Sequence, residues 1–95
     1  MSVETGRCVW PDPIPRGTVL ARSPRGLWYP YRPDTHDPAQ GIAHADRYFA
    51  EPVIRVLTAG HVDADALIGL DRRARDQLQR AGFVLVDLLR EESRA

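Results

Sequence analysis

The segment Pro52 to Thr58 constrains the fold most, because it alternates Val53, Arg55 and Leu57 on one side with Ile54, Val56 and Thr58 on the other. Both sides of such a strand carry apolar residues, so it has to be largely buried and covered from two directions. Eight prolines and seven glycines in 95 residues break the rest of the chain into short elements and many turns. That pattern favours strands over long helices. A chain of this length holds one domain with a limited core, so oligomerisation or docking is a ready source of extra stability.

Upstream, Thr18 to Ala21 suits a strand, Ser23-Pro24-Arg25-Gly26 a turn, and Leu27-Trp28-Tyr29 a returning strand. Together they form the clearest hairpin in the sequence. Pro30 and Pro33 lack a backbone donor, so the returning strand ends there or runs along an edge. Gln40 to Ala43 reads as a further short strand, after which His44 to Arg47 turns the chain towards Tyr48 and Phe49. Gly60 and His61 read as a turn. Asp63 is placed to cap a one-turn helix from Ala64 to Ile68, and Asp71 to cap a helix from Arg72 to about Ala81, with Gly82 at its C′ position. Ala74, Leu78 and Ala81 give that helix a narrow apolar stripe suited to covering a sheet. Phe83 to Val86 follows as a short apolar strand.

Residues 1–15 read as an extended arm. The alternate prolines of Trp10-Pro11-Asp12-Pro13-Ile14-Pro15 exclude helix and remove backbone donors. A segment with no core of its own must place Val9, Trp10 and Ile14 either on the parent domain or on a partner. The partner reading makes Val9, Trp10, Pro11, Pro13 and Ile14 its contact residues. Cys8, the single cysteine, allows no disulfide within the chain and is expected to sit in a mobile arm without a role.

Charge excludes some partners. All thirteen basic residues are arginine and are balanced by thirteen acids, so no overall field draws the chain to nucleic acid or to an anionic membrane. The middle of the chain, residues 33–71, is acidic and both flanks are basic, a pattern open to a solvated face or to complementarity between neighbouring subunits. Neither a signal peptide nor an apolar run long enough to span a bilayer is present, which points to synthesis in the cytoplasm.

Catalytic constellations are missing from the pattern. Ser23 lacks a nucleophile elbow, His61 reads as a turn residue, and Asp63 and Asp65 read as helix-capping groups. His36, Asp37 and His44 are the one set with metal-ligand chemistry, at a spacing that matches no recurrent zinc or calcium pattern. Trp28, Tyr29 and Tyr31 form an aromatic cluster read as core and subunit interface, with Arg55 offering an ion pair across that interface. No cofactor and no metal are expected.

Several segments in order carry a resemblance. Gly17-Thr18-Val19-Leu20 opens a strand, and Tyr29-Pro30-Tyr31 ends one. An Asp-rich turn at Asp34 to Asp37 and Gly41-Ile42 come next. The Val-rich strand from Pro52 to Gly60, the Asp65-Ala66-Leu67 segment and a helix stopped by Gly82 before a last strand complete the order. Over about Pro15 to Asp87 this order resembles the lambda-type head decoration proteins of tailed phages. The resemblance implies a mainly β (α+β) domain of the β-clip or β-tulip kind, with one or two short helices, over residues 16–88. An N-terminal arm (1–15) and a C-terminal tail (89–95) would flank it. It also implies a non-enzymatic homotrimer on the outer surface of the capsid in the virion, binding the major capsid protein and stabilising the head against internal DNA pressure. The alternatives are a small β-clip-like ligand-binding module and a metal-dependent enzyme built on His36, Asp37 and His44.

Overall fold

The computed structural model describes residues 2–49 and 51–86; the expected tail 89–95 lies outside them. Among the described residues the chain forms β1 (Ser2–Cys8), β2 (Val19–Arg22), β3 (Leu27–Pro30), β4 (Ala39–Ala43), β5 (Val53–Asp63), a 3-10 turn (Ala64–Ala66), α1 (Arg72–Ala81) and β6 (Phe83–Val86). The domain is mainly β, as expected. The strands follow the order β1-β3-β2-β4-β5-β6, and β1 also pairs with β5, so the first five close into a small barrel.

Closure depends on the N-terminal strand, which corrects the reading of residues 1–15 as an arm. β1 runs antiparallel to β5 from Ser2 opposite Ala59 to Arg7 opposite Val53, and its last residues, Arg7 and Cys8, pair in parallel with Leu27 and Trp28 of β3. β5 exposes a row of backbone groups that an apolar strand cannot leave unpaired, and β1 satisfies them. Cys8 is fully buried in the barrel rather than carried on a mobile segment.

The alternation of β5 separates two cores. Ile54 and Val56 face the barrel interior with Cys8, Ile14, Leu20, Trp28 and Ala43. Leu57 faces outward, where Val19, Ala21, Ile42, Ala74, Leu78 and Phe83 form a second core beneath α1. Val53 and Arg55 share the outward side with Leu57 but lie beyond the cover of the helix, and both are exposed. A barrel this narrow is filled by side chains, and here the indole of Trp28 occupies it. Two glycines make room for that ring. A Cβ at Gly6 would overlap Trp28 Cδ1 and Nε1, and one at Gly41 would lie 2.9 Å from Trp28 Cζ3 and also strike Val56.

β5 does not turn at Gly60. It continues to Asp63 and changes partner there, from β1 at Ala59 to β6 at Gly60, with β6 running parallel to it. Gly60 has φ 139°, a conformation that side-chain-bearing residues rarely adopt, so the bend that redirects the strand depends on glycine. The connection between β5 and β6 is α1, whose ends match the sequence reading. Asp71 caps the first turn by accepting from the Ala74 N–H at 2.7 Å, and Gly82 closes the last turn in a left-handed conformation. The helix expected from Ala64 to Ile68 is only a single 3-10 turn, with the Asp63 carboxylate accepting from the Asp65 N–H at 3.0 Å. Ile68 is extended because its N–H is taken by the Gly17 carbonyl and its carbonyl by the Val19 N–H, each at 2.9 Å.

Candidate functional site

The two ends of the barrel are finished differently. At one end the strands run into the proline-rich loop, residues 9–15, and into residues 46–49 and 51–52 ahead of β5. These loops are tied by a backbone pair in which Ile14 and Arg47 each donate to the other's carbonyl, at 2.9 and 2.8 Å. Arg47 is buried to 3% exposure. Its guanidinium donates to the carbonyls of Trp10 (2.8 Å), Asp12 (3.1 Å) and Glu51 (2.9 Å from Nε). The chemistry follows from the prolines. A loop with Pro11, Pro13 and Pro15 turns carbonyls inward without the N–H groups that would normally pair them, and a guanidinium supplies up to five donors from one side chain. Arg16 adds a 2.7 Å backbone bond to the Asp46 carboxylate.

With its backbone fixed, this end turns large apolar side chains outward. Val9 is 74% exposed, Tyr48 61%, Phe49 79% and Val53 46%. Val9 follows Cys8, whose N–H bonds the Pro52 carbonyl at 2.9 Å, so the two loops bring these residues to the same end of the barrel. Phe49 also has a left-handed backbone (φ 57°), which costs about 1–2 kcal/mol for a residue with a side chain. An exposed phenylalanine held in that conformation is a candidate contact residue, and clustered exposed apolar groups mark interaction surfaces.

The sequence-derived contact residues divide. Ile14 is 1% exposed and belongs to the barrel core, which withdraws it as an anchor for a partner. Trp10 is half-buried, packs against that core and lies under the Arg32 guanidinium, 5.2 Å from the ring centroid. Val9, Pro11 and Pro13 stay exposed. Tyr48, Phe49 and Val53, beside Val9, were not among the sequence candidates, although two adjacent aromatics next to a turn are a visible signal.

The aromatic cluster is core more than interface. Trp28 and Tyr31 are 2% and 3% exposed. The Tyr31 hydroxyl reaches the helix-capping carboxylate of Asp71 at 3.2 Å, and Arg73 lies over its ring while donating to the Pro33 and Thr35 carbonyls at 3.0 and 2.6 Å. These contacts bind residues 31–35 to the helix and hold Tyr31 in the core. Burial, reinforced by the Asp71 charge, raises the Tyr31 pKa. Tyr29 is half-buried and donates to the Asp37 carboxylate. Desolvation and that bond push its pKa up to about 12. Arg55 remains exposed on the outer face of β5.

The geometry does not assemble the metal alternative. His36 lies in the loop before β4 and His44 directly follows the strand, so β4 stands between them in the chain. Asp37 is engaged by Tyr29, and no group of three or more potential ligands occurs among the described residues. No helix among the described residues is long and apolar enough to cross a membrane. No family model matches the chain, and no curated protein matches it.

Proposed function

We propose that this chain is a capsid decoration protein of a tailed phage. It binds the major capsid protein on the outer surface of the expanded head, as a homotrimer, and stabilises the shell against internal pressure. The observation that carries the reading is the apolar end of the barrel, where Val9, Tyr48, Phe49 and Val53 project from loops fixed by Arg47. A cementing protein needs a preformed apolar contact surface and no turnover. Fully burying each such side chain contributes roughly 1.5–3 kcal/mol, and three copies on one trimer act together through effective concentration. The order of segments from about Pro15 to Asp87, on which the resemblance to lambda-type decoration proteins rests, supports the same reading.

β5 needs no neighbour to cover it, because Trp28 and its surroundings fill one face and α1 covers Leu57 on the other. The surface left for subunit contact is the outer layer, where Ile68 is 48% exposed and Val84, on β6, is 49% exposed. β6 pairs only with β5 among the described residues, so its far edge offers backbone groups as well.

The test is co-sedimentation with expanded shells of the cognate major capsid protein, alongside light scattering of the free protein. Near-equal copy number with the shell protein for wild type, and a large loss for Phe49→Asp and Val9→Asp, is the expected result. Wild-type protein that stays in the supernatant would remove the proposal.

A further inference from the structure

The other end of the barrel is open. β2 ends and β4 begins at this rim, Glu4 of β1 (opposite Val56) and Thr58 of β5 line it, and α1 contributes Gln77 and Arg80. The result is a cleft of about 560 Å³, a size at which small ligands bind. Its floor is the edge of Trp28 with Ala39, and its polar rim is Glu4, Arg22, Gln40, Thr58, Gln77 and Arg80. Mouths of β-barrels are recurrent ligand sites, because strand ends converge there on a filled interior.

Two arginines face this cleft from different elements. Arg22 lies over the Trp28 ring, its guanidinium carbon 5.5 Å from the centroid, so its face is held while the edge carrying its N–H donors remains available. Arg80, in the last turn of α1, donates no side-chain hydrogen bond to another described residue, and neither does Arg22. Gln77 is oriented: its carbonyl oxygen accepts from the Ala39 N–H at 2.8 Å, which leaves its NH₂ group as a further donor. Glu4 is the one acid on the rim, so the formal balance of the cleft is one positive charge. That balance suits a singly charged carboxylate, which Arg and Gln donors bind through paired hydrogen bonds. A phosphate dianion would leave the site net negative.

We propose that the barrel mouth is a carboxylate-binding site in which Arg22 and Arg80 carry the charge recognition and Gln77 the orientation. The site is independent of the decoration reading, being at the opposite end of the barrel from the apolar surface. The carboxylate has two sources, a small free acid or an Asp or Glu side chain of a neighbouring protein.

The test is a titration of ¹⁵N-labelled full-length protein followed by NMR, with the indole N–H signals of Trp28 and Trp10 as reporters of the two ends. The probes are sodium propionate for a free acid and N-acetyl-glutamate N-methylamide for a protein side chain, each against sodium chloride at matched ionic strength. A saturable shift of the Trp28 signal, with Trp10 unmoved, is expected. Arg22→Gln and Arg80→Gln should each weaken it about tenfold, as expected for a lost charge-assisted hydrogen bond. Arg16→Gln, at the sealed end, should leave it unchanged. Glu4→Gln should tighten binding about threefold by removing a like charge. Tighter binding of either probe identifies the source and supports the site. The proposal is overturned by a Trp28 response no larger than that to sodium chloride, by inorganic phosphate binding more tightly than both carboxylates, or by equal affinity for wild type and a folded Arg22→Gln/Arg80→Gln protein.

Discussion

The sealed and open ends of the barrel solve one problem by opposite means. Any closed sheet ends in carbonyl and N–H groups that the next strand no longer reaches. At the proline-rich end one buried arginine supplies the missing donors, and the loops pack until Ile14 is 1% exposed. At the mouth no described residue forms such a cap. A tryptophan fills the interior from below, and the polar rim is left to solvent. The difference separates stiffness from accessibility: the end with the tightest backbone presents the apolar side chains, and the end with the charged rim presents a cavity.

The largest expected effect comes from removing the strand that joins both ends. Deleting residues 1–8 takes away the pairing of β1 with β5 and opens the barrel interior at Cys8. Calorimetry of the truncated protein should show no cooperative transition; a normal melt would mean that the N-terminal segment is dispensable after all. Arg47→Met should come next, since it leaves three inward carbonyls without donors, at roughly 1–3 kcal/mol for each unsatisfied group. Urea unfolding should report a loss of at least about 3 kcal/mol, and Arg47→Lys should recover only part of it. A loss below about 1 kcal/mol would show that the sealed end does not rest on the guanidinium.

Gly6→Ala probes the packing of Trp28 instead. The added methyl meets the indole within a filled interior, so destabilisation of roughly 1–3 kcal/mol is expected from chemical denaturation. A neutral result would reveal slack around the ring. The smallest effect is a pH dependence set by Tyr29, whose pKa is raised from 10.0 to about 12. Because the folded value is the higher one, the hydroxyl's contribution to stability is complete below pH 10 and fades as pH rises towards 12. Tyr29→Phe should flatten that part of the stability profile, and an unchanged slope would uncouple Tyr29 from it.

The contrast between the ends also marks what the sequence made legible. Local chemistry announced α1 through Asp71 and Gly82, the hairpin through Ser23 to Gly26, and the two-sided burial of β5 through its alternation. β1 was hidden because Ser2, Glu4, Thr5, Gly6 and Arg7 show no apolar alternation; it is a strand by virtue of the partner it completes, a non-local cause. Gly6 and Gly41 look like ordinary flexible residues until Trp28 is placed between them. Arg47 carries no local signal of burial either. The proline-rich loop whose Asp12 and Trp10 carbonyls lie 35 and 37 residues earlier creates its role, and a reader of the sequence sees the missing donors without seeing what replaces them. Of the contact residues, Val9 was legible as an apolar group with nothing to pack on, whereas Ile14 looked identical and is core.

The pairing of β1 with β5 has a consequence for how the molecule is made. β1 is made before β2 to β6 yet is among the last of them to find its place, because Ser2 meets Thr58 only after 56 further residues of chain have been synthesised. Until then Cys8 and the apolar residues that follow have no barrel to enter, and closing so large a loop carries an entropic cost before any contact compensates. The barrel therefore comes together late and as a unit, with nascent chains exposed to mispairing of β5 for as long as β1 is absent from its edge.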